Sequence, residues 1–157
     1  MTTIIAIDPG ASGGIAIEHC GKLVVYAMPK TEGDVLDVLR TAIVNGKREG
    51  NEVVCVLELV GGFIKGATAP GSAMFNFGSG WGFLKGVVMA YQVRLELVRP
   101  QDWQKTLHLG TSASIGSKSA WKAKLKAQAQ RLFPDQNVTL KTADALLILE
   151  YARRAGK

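Results

Sequence analysis

A chain of 157 residues, 47% hydrophobic and 20% charged, has the composition of an ordinary globular protein and the length for one sizeable core. No apolar stretch reaches membrane-spanning length and no signal peptide precedes the first apolar run, so a soluble, intracellular (cytoplasmic) protein folding as one domain over 1–157 is expected, with no membrane partner. The formal net charge of +6 is uneven, −2 over residues 1–84 and +8 over residues 85–157, which makes the second half either a solvated basic surface or a face for a polyanion.

Strands are predicted at about 3–8, 13–19 and 22–28, joined by turns at Gly10 to Gly14 and at Cys20-Gly21. Residues 32–47 carry Val35, Leu36, Val38, Leu39, Ala42 and Ile43 at helical spacing. Glu52 to Glu58 is a mostly apolar run that fits a central buried strand. Residues 60–76, with four glycines and Pro70, read as a mobile loop. A helix is expected from about 77 to 91. Gly78, Gly82, Gly86 and Ala90 share one of its faces, either packed closely on the sheet or another helix, or forming a dimer contact. A strand over 93–98, a short helix over 100–107 opened by Pro100, a polar loop over 108–116, a basic helix over 118–132 and a last helix over 140–154 complete the chain. The order β-β-β-α-β-α-β-α-α implies an α/β fold: three antiparallel strands, extended by two parallel strands through helical crossovers, with helices on both faces. Cys20 and Cys55 lie in strand-like runs without ligand spacing and read as buried free thiols of a reducing compartment. His19 and His108 have no partner visible in sequence.

The first strand ends in Asp8 and the fourth in Glu58, while Asp144 falls in the first turns of the last helix. A charge at a buried strand tip is costly unless a cation meets it. Should the crossover set strand 4 beside strand 1, the acids converge, and closely spaced carboxylates repel unless a cation lies between them. Oxygen-only ligands favour Mg2+, with Mn2+ as a substitute, over zinc, and such a site suits phosphoryl chemistry. Taken singly, Asp8 can be a turn residue, Glu58 the partner of a lysine and Asp144 a favourable charge at a helix N-terminus.

Together, Ile4-Ile5-Ala6-Ile7-Asp8-Pro9-Gly10, Val54-Cys55-Val56-Leu57-Glu58 and Thr142-Ala143-Asp144-Ala145-Leu146-Leu147 resemble the motifs of RuvC-type Holliday junction resolvases of the ribonuclease H-like superfamily. Pro70 to Gly78, Val98-Arg99-Pro100-Gln101-Asp102-Trp103-Gln104-Lys105 and Leu132-Phe133-Pro134 resemble the bacteriophage and plant-chloroplast branch. The resemblance covers nearly the whole chain. It implies a homodimer that binds four-way DNA junctions and nicks opposed strands by Mg2+-dependent hydrolysis. Asp8 would bridge two ions, with Glu58 and Asp144 as further ligands. These enzymes usually place an acid or a histidine one helical turn before the last aspartate, where this chain has Lys141. Sharing a face with Asp144, Lys141 is expected to point at the acids. Three readings compete. Lys141 abolishes cleavage and leaves a junction-binding protein, its ammonium replaces one metal's charge, or a different register lets an acid such as Asp135 serve.

For DNA contact, Lys118, Lys122 and Lys126 recur on one face of the basic helix, flanked by Lys124, with Trp121, Leu125 and Leu132 on another. The lysine stripe is either a solvated face or a phosphate track, which Lys85, Arg99, Lys105 and Ser117 extend. The glycine-rich segment offers Phe63, Lys65 and Phe75 for DNA contact; an aromatic there either wedges into unstacked bases or, for Phe75 with Phe77, anchors the next helix. A rival reading, an ATP-handling member of the actin-like group, is disfavoured because the chain is too short for two nucleotide-clasping lobes.

Overall fold

The strand β1 (Thr2–Asp8) carries Ile4, Ile5, Ala6 and Ile7 in succession, all buried. Apolar residues on both sides of a strand suit a sheet covered on both faces. In the computed structural model, which describes residues 1–61 and 71–157, β1 is the middle strand of five. The strand β2 (Gly14–His19) pairs antiparallel with β1, and β3 (Lys22–Ala27) antiparallel with β2. On the other side β4 (Glu52–Glu58) and β5 (Arg94–Val98) run parallel, giving the order β3-β2-β1-β4-β5. The element order of the sequence predicts this mixed sheet.

Helices α1 (Glu32–Arg48) and α2 (Gly71–Ala90) cover one face; Val35, Leu39, Ile43, Leu84 and Val88 meet Ile5, Ile7, Ile15 and Leu57 there. The other face is covered by α3 (Pro100–Thr106), α4 (Lys118–Leu132) and α5 (Ala143–Arg154). Trp103, Trp121, Leu125 and Leu146 pack there on Ile4, Ala6, Ala16, Val54 and Val56. Thr31 starts α1, its Oγ1 accepting from the Asp34 N–H at 3.1 Å.

Three sequence expectations change. The loop over 60–76 gives way in part to α2, which begins at Gly71 rather than at 77. Gly71 and the preceding Pro70 suggest loop, but Ser72-Ala73-Met74-Phe75 favours helix and Met74 is half-buried. Gly78, Gly82 and Gly86 do not pack on the sheet. They are exposed, and a Cβ on any of them would meet nothing within 4 Å among the described residues. Cys55 is buried as expected, but Cys20 is exposed in the β2–β3 turn at a positive φ of 50°, because that turn lies beyond the sheet's edge.

Among the described residues no helix is long and apolar enough to cross a membrane.

Candidate active site

Parallel pairing of Ile7 with Leu57 leaves the next residues, Asp8 and Glu58, side by side at the carboxyl ends of β1 and β4. Ligands of open α/β sheets bind at this edge. The helix α5 reaches the same edge through a glycine. Gly14 pairs with Asp8, and a Cβ on it would lie 2.7 Å from the carbonyl oxygens of both Lys141 and Tyr26. Only glycine lets the chain before α5 pass this close to the sheet, and Asp144 follows in the first turn of α5.

Asp144 is 6% exposed. Its Oδ2 accepts a hydrogen bond from the Lys122 ammonium, while its Oδ1 is buried with no partner among the described residues. Glu58 is oriented by two indoles: Trp103 Nε1 donates to its Oε2 at 2.8 Å and Trp81 Nε1 to its backbone carbonyl at 3.0 Å.

Burial, then the charges of Asp144 and Glu58, push the Asp8 carboxyl up to about 8, against the pull of Lys122. Burial also lifts Glu58 to about 7. The Trp103 hydrogen bond and Lys122 lower it, and Asp144 raises it. Burial works to lower the Lys122 ammonium, but the charge and hydrogen bond of Asp144, with the charges of Asp8 and Glu58, hold it above its ordinary value. Among the described residues, one ammonium thus stands against three carboxyl groups. Two are inclined to keep a proton, and the third leaves a buried oxygen unsatisfied. A site so short of positive charge can hold a divalent cation, and its all-oxygen donors suit Mg2+ or Mn2+. The oxygens of the three acids do not all come within 4.8 Å of one another, so gathering them around an ion requires side-chain movement.

The lysine that meets the acids is Lys122. Lys141 lies exposed in the turn before α5 and pairs with no carboxylate among the described residues. The facing expected at a three-residue spacing holds inside a helix, but here Thr142 Oγ1 accepts from the Thr139 N–H at 2.9 Å and α5 starts only at Ala143. Asp135 is exposed in the turn after α4.

Of the expected DNA contacts, Lys118 and Lys105 are exposed and Lys126 and Lys85 half-buried. Lys85 stacks over Trp81 at 5.4 Å. Lys124 is tied down, its Nζ donating to the Leu109 carbonyl at 2.6 Å. Arg99 makes a two-pronged pair with Asp102 at 2.9 and 3.0 Å. Ser117 caps α4, its Oγ accepting from the Ala120 N–H at 3.1 Å. Phe75 is 75% exposed and so does not anchor the helix on the described residues. Phe63 and Lys65 lie outside the described residues. Sequence reasoning did not single out Trp103 as a site residue. Its signal was its place three residues beyond Pro100, just after the strand that pairs with β4.

No protein-family model matches this chain, and no curated protein matches it in sequence. Among solved structures, Thermus thermophilus RuvC is similar with a TM-score of 0.56 at 15% identity, over 98% of this chain and 96% of that one. Thermus thermophilus RuvC in complex with a Holliday junction substrate is similar with a TM-score of 0.58 at 12% identity, over 99% and 97%. The fold is therefore RuvC-like, within the ribonuclease H-like architecture.

Proposed function

We propose that this chain is a structure-selective endonuclease that binds four-way DNA junctions and nicks two opposed strands by Mg2+-dependent phosphodiester hydrolysis. The observation that carries the reading is the convergence of Asp8, Glu58 and Asp144 at one sheet edge around a single ammonium, with the buried Asp144 Oδ1 unpartnered. On this reading the three acids are the metal ligands. Mg2+, when bound, supplies an activated water and stabilises the leaving oxygen. Trp103 holds Glu58 in the orientation its hydrogen bond sets. Lys122 keeps Asp144 in place in the metal-free chain, and its half-exposed amine is free to turn to a phosphate once another cation takes over that charge. Lys118, Lys126, Lys105, Lys85 and Arg99 line a phosphate track, and exposed Phe75 is the candidate wedge at the junction centre.

Symmetric nicking of opposed strands requires two copies. Gly78, Gly82, Gly86 and Met89 recur at three- and four-residue spacing on the outer face of α2, exposed and apolar. This face is where a second copy fits, its glycines allowing close approach. An intracellular setting and the bacteriophage and plant-chloroplast branch belong to the same reading and rest on sequence resemblance.

A second reading is junction binding without cleavage. Its supporting observation is the Lys122 ammonium already standing where a cation would. A strand-labelled four-way junction separates the two. Nicking in Mg2+ that Asp8→Asn abolishes, with binding kept in Ca2+, supports the first. Tight junction binding without nicking in Mg2+ or Mn2+ supports the second. Equal affinity for junction and linear duplex removes both.

A further inference from the structure

At the far end of the sheet from the acids, three metal-ligating side chains of unlike chemistry meet, and the function proposed above uses none of them. The β2 strand ends in His19, the turn begins with Cys20, and Glu49 is the C-cap of α1. The imidazole nitrogen, the thiol sulfur and a carboxylate oxygen all lie within 4.8 Å of one another. His19 Nε2 is 2.9 Å from Glu49 Oε2, and the Cys20 thiol donates to the same oxygen at 3.2 Å. In a tetrahedral zinc site, metal–ligand bonds of about 2.0–2.3 Å set neighbouring ligand atoms roughly 3.3–3.6 Å apart. These pairs therefore need to open by only a few tenths of an ångström to admit an ion.

We propose that His19, Cys20 and Glu49 form a Zn2+-binding site, with water in the fourth position. A nitrogen, sulfur and oxygen donor set matches zinc, whereas Mg2+ and Ca2+ take oxygen alone. The surroundings support the same reading. Thr3 Oγ1, on a fully buried residue, lies 2.8 Å from His19 Nδ1. When Nε2 binds metal, Nδ1–H donates to that hydroxyl, which fixes the ring and its tautomer. Asn51 Nδ2 donates to Cys20 Sγ at 3.6 Å and so helps to fix the sulfur in place. The carbonyl end of the 17-residue α1 adds negative potential where the cation would sit. On binding, the Cys20 thiol gives its proton to solvent and no redox change occurs. The ion would tie the β2–β3 turn to the end of α1. Asp8 lies five residue steps along β1 from Thr3, about 16 Å at strand rise, so the two sites bind independently.

Cobalt tests this directly in the full chain under reducing conditions, because a thiolate-to-Co2+ charge-transfer band reports sulfur ligation and the acid cluster contains none. Cys55 is fully buried and its thiol is pushed up to about 12, so the band reports Cys20. The band should saturate at one Co2+ per chain and bleach when Zn2+ displaces it. It should vanish in Cys20→Ser, weaken by more than about 10-fold in His19→Gln and in Glu49→Gln, and weaken about 10-fold in Thr3→Val. Zn2+ should raise the Tm of the wild type and of Asp8→Asn alike. Absence of the band at millimolar Co2+ overturns the proposal. So does a band of unchanged affinity in both folded variants His19→Gln and Glu49→Gln, since that marks a lone thiol. The exposure of Glu49 keeps Glu49→Gln informative even if Cys20→Ser folds poorly.

Discussion

Binding of Mg2+ to the acid cluster should expel protons, and the count follows from the site. Asp8, pushed up to about 8, and Glu58, lifted to about 7, hold about 0.9 and 0.5 of a proton at pH 7. Both must be released for the carboxylates to coordinate an ion, so Mg2+ should displace about 1.4 protons at pH 7 and about 0.1 at pH 9. The apparent affinity should rise about 20-fold over the same interval. Both carboxyls lie above their ordinary values of 3.8 and 4.5 in the folded chain. Through these two groups the metal-free protein loses stability as pH rises from about 4 through about 8, a loss that Mg2+ should offset. Calorimetric titration of the DNA-free chain in two buffers of unlike ionisation enthalpy reads the proton count. Asp8→Asn should cut it at pH 7 to about 0.5, the Glu58 share. A count near zero at pH 7, or one unchanged in Asp8→Asn, would refute the assignment of these two acids as ligands.

Lys122→Met removes the ammonium from Asp144. Because that side chain is 38% exposed, the loss without metal should be about 1–2 kcal/mol rather than the full cost of breaking a buried pair, and saturating Mg2+ should shrink it in urea unfolding. Lys141→Asp should leave Mg2+-dependent nicking within about twofold of wild type, since an exposed turn residue outside the acid cluster has little to contribute; a rise by orders of magnitude would return Lys141 to the site. Gly82→Arg lands on the outer face of α2, where a Cβ meets nothing within 4 Å among the described residues, so it should preserve the fold yet convert the proposed dimer to a monomer in sedimentation and abolish paired nicking. Gly14→Ala forces a methyl against two carbonyl oxygens and should cost about 1–3 kcal/mol while displacing Asp144, read as lower Tm and weaker Mg2+ binding together.

The three acids are legible in the sequence because each sits where a strand ends or a helix begins, and strand order follows from element order. Apolar runs such as Ile4 to Ile7 and Val53 to Leu57 specify strands buried on both faces, and parallel pairing then forces Asp8 and Glu58 together. The glycine face of α2 is visible as a period, but spacing defines a face without saying what covers it. Whether those glycines meet the sheet or solvent is therefore not written in their spacing.

Which cation-bearing side chain reaches the acids depends on how the helices pack. Lys141 is three residues from Asp144 and Lys122 is twenty-two, yet α4 packed beside α5 delivers Lys122, while the Thr139–Thr142 turn carries Lys141 outside the helix. The meeting of His19 and Cys20 with Glu49, thirty residues away, likewise arises only once α1 closes back on the sheet. Hydrophobic periodicity and strand ends are local properties, so the chain's order of residues is enough to specify the elements, the sheet and the acids at its edge. Which charges face one another is settled by packing, because a long side chain on a neighbouring helix reaches places that no sequence spacing records.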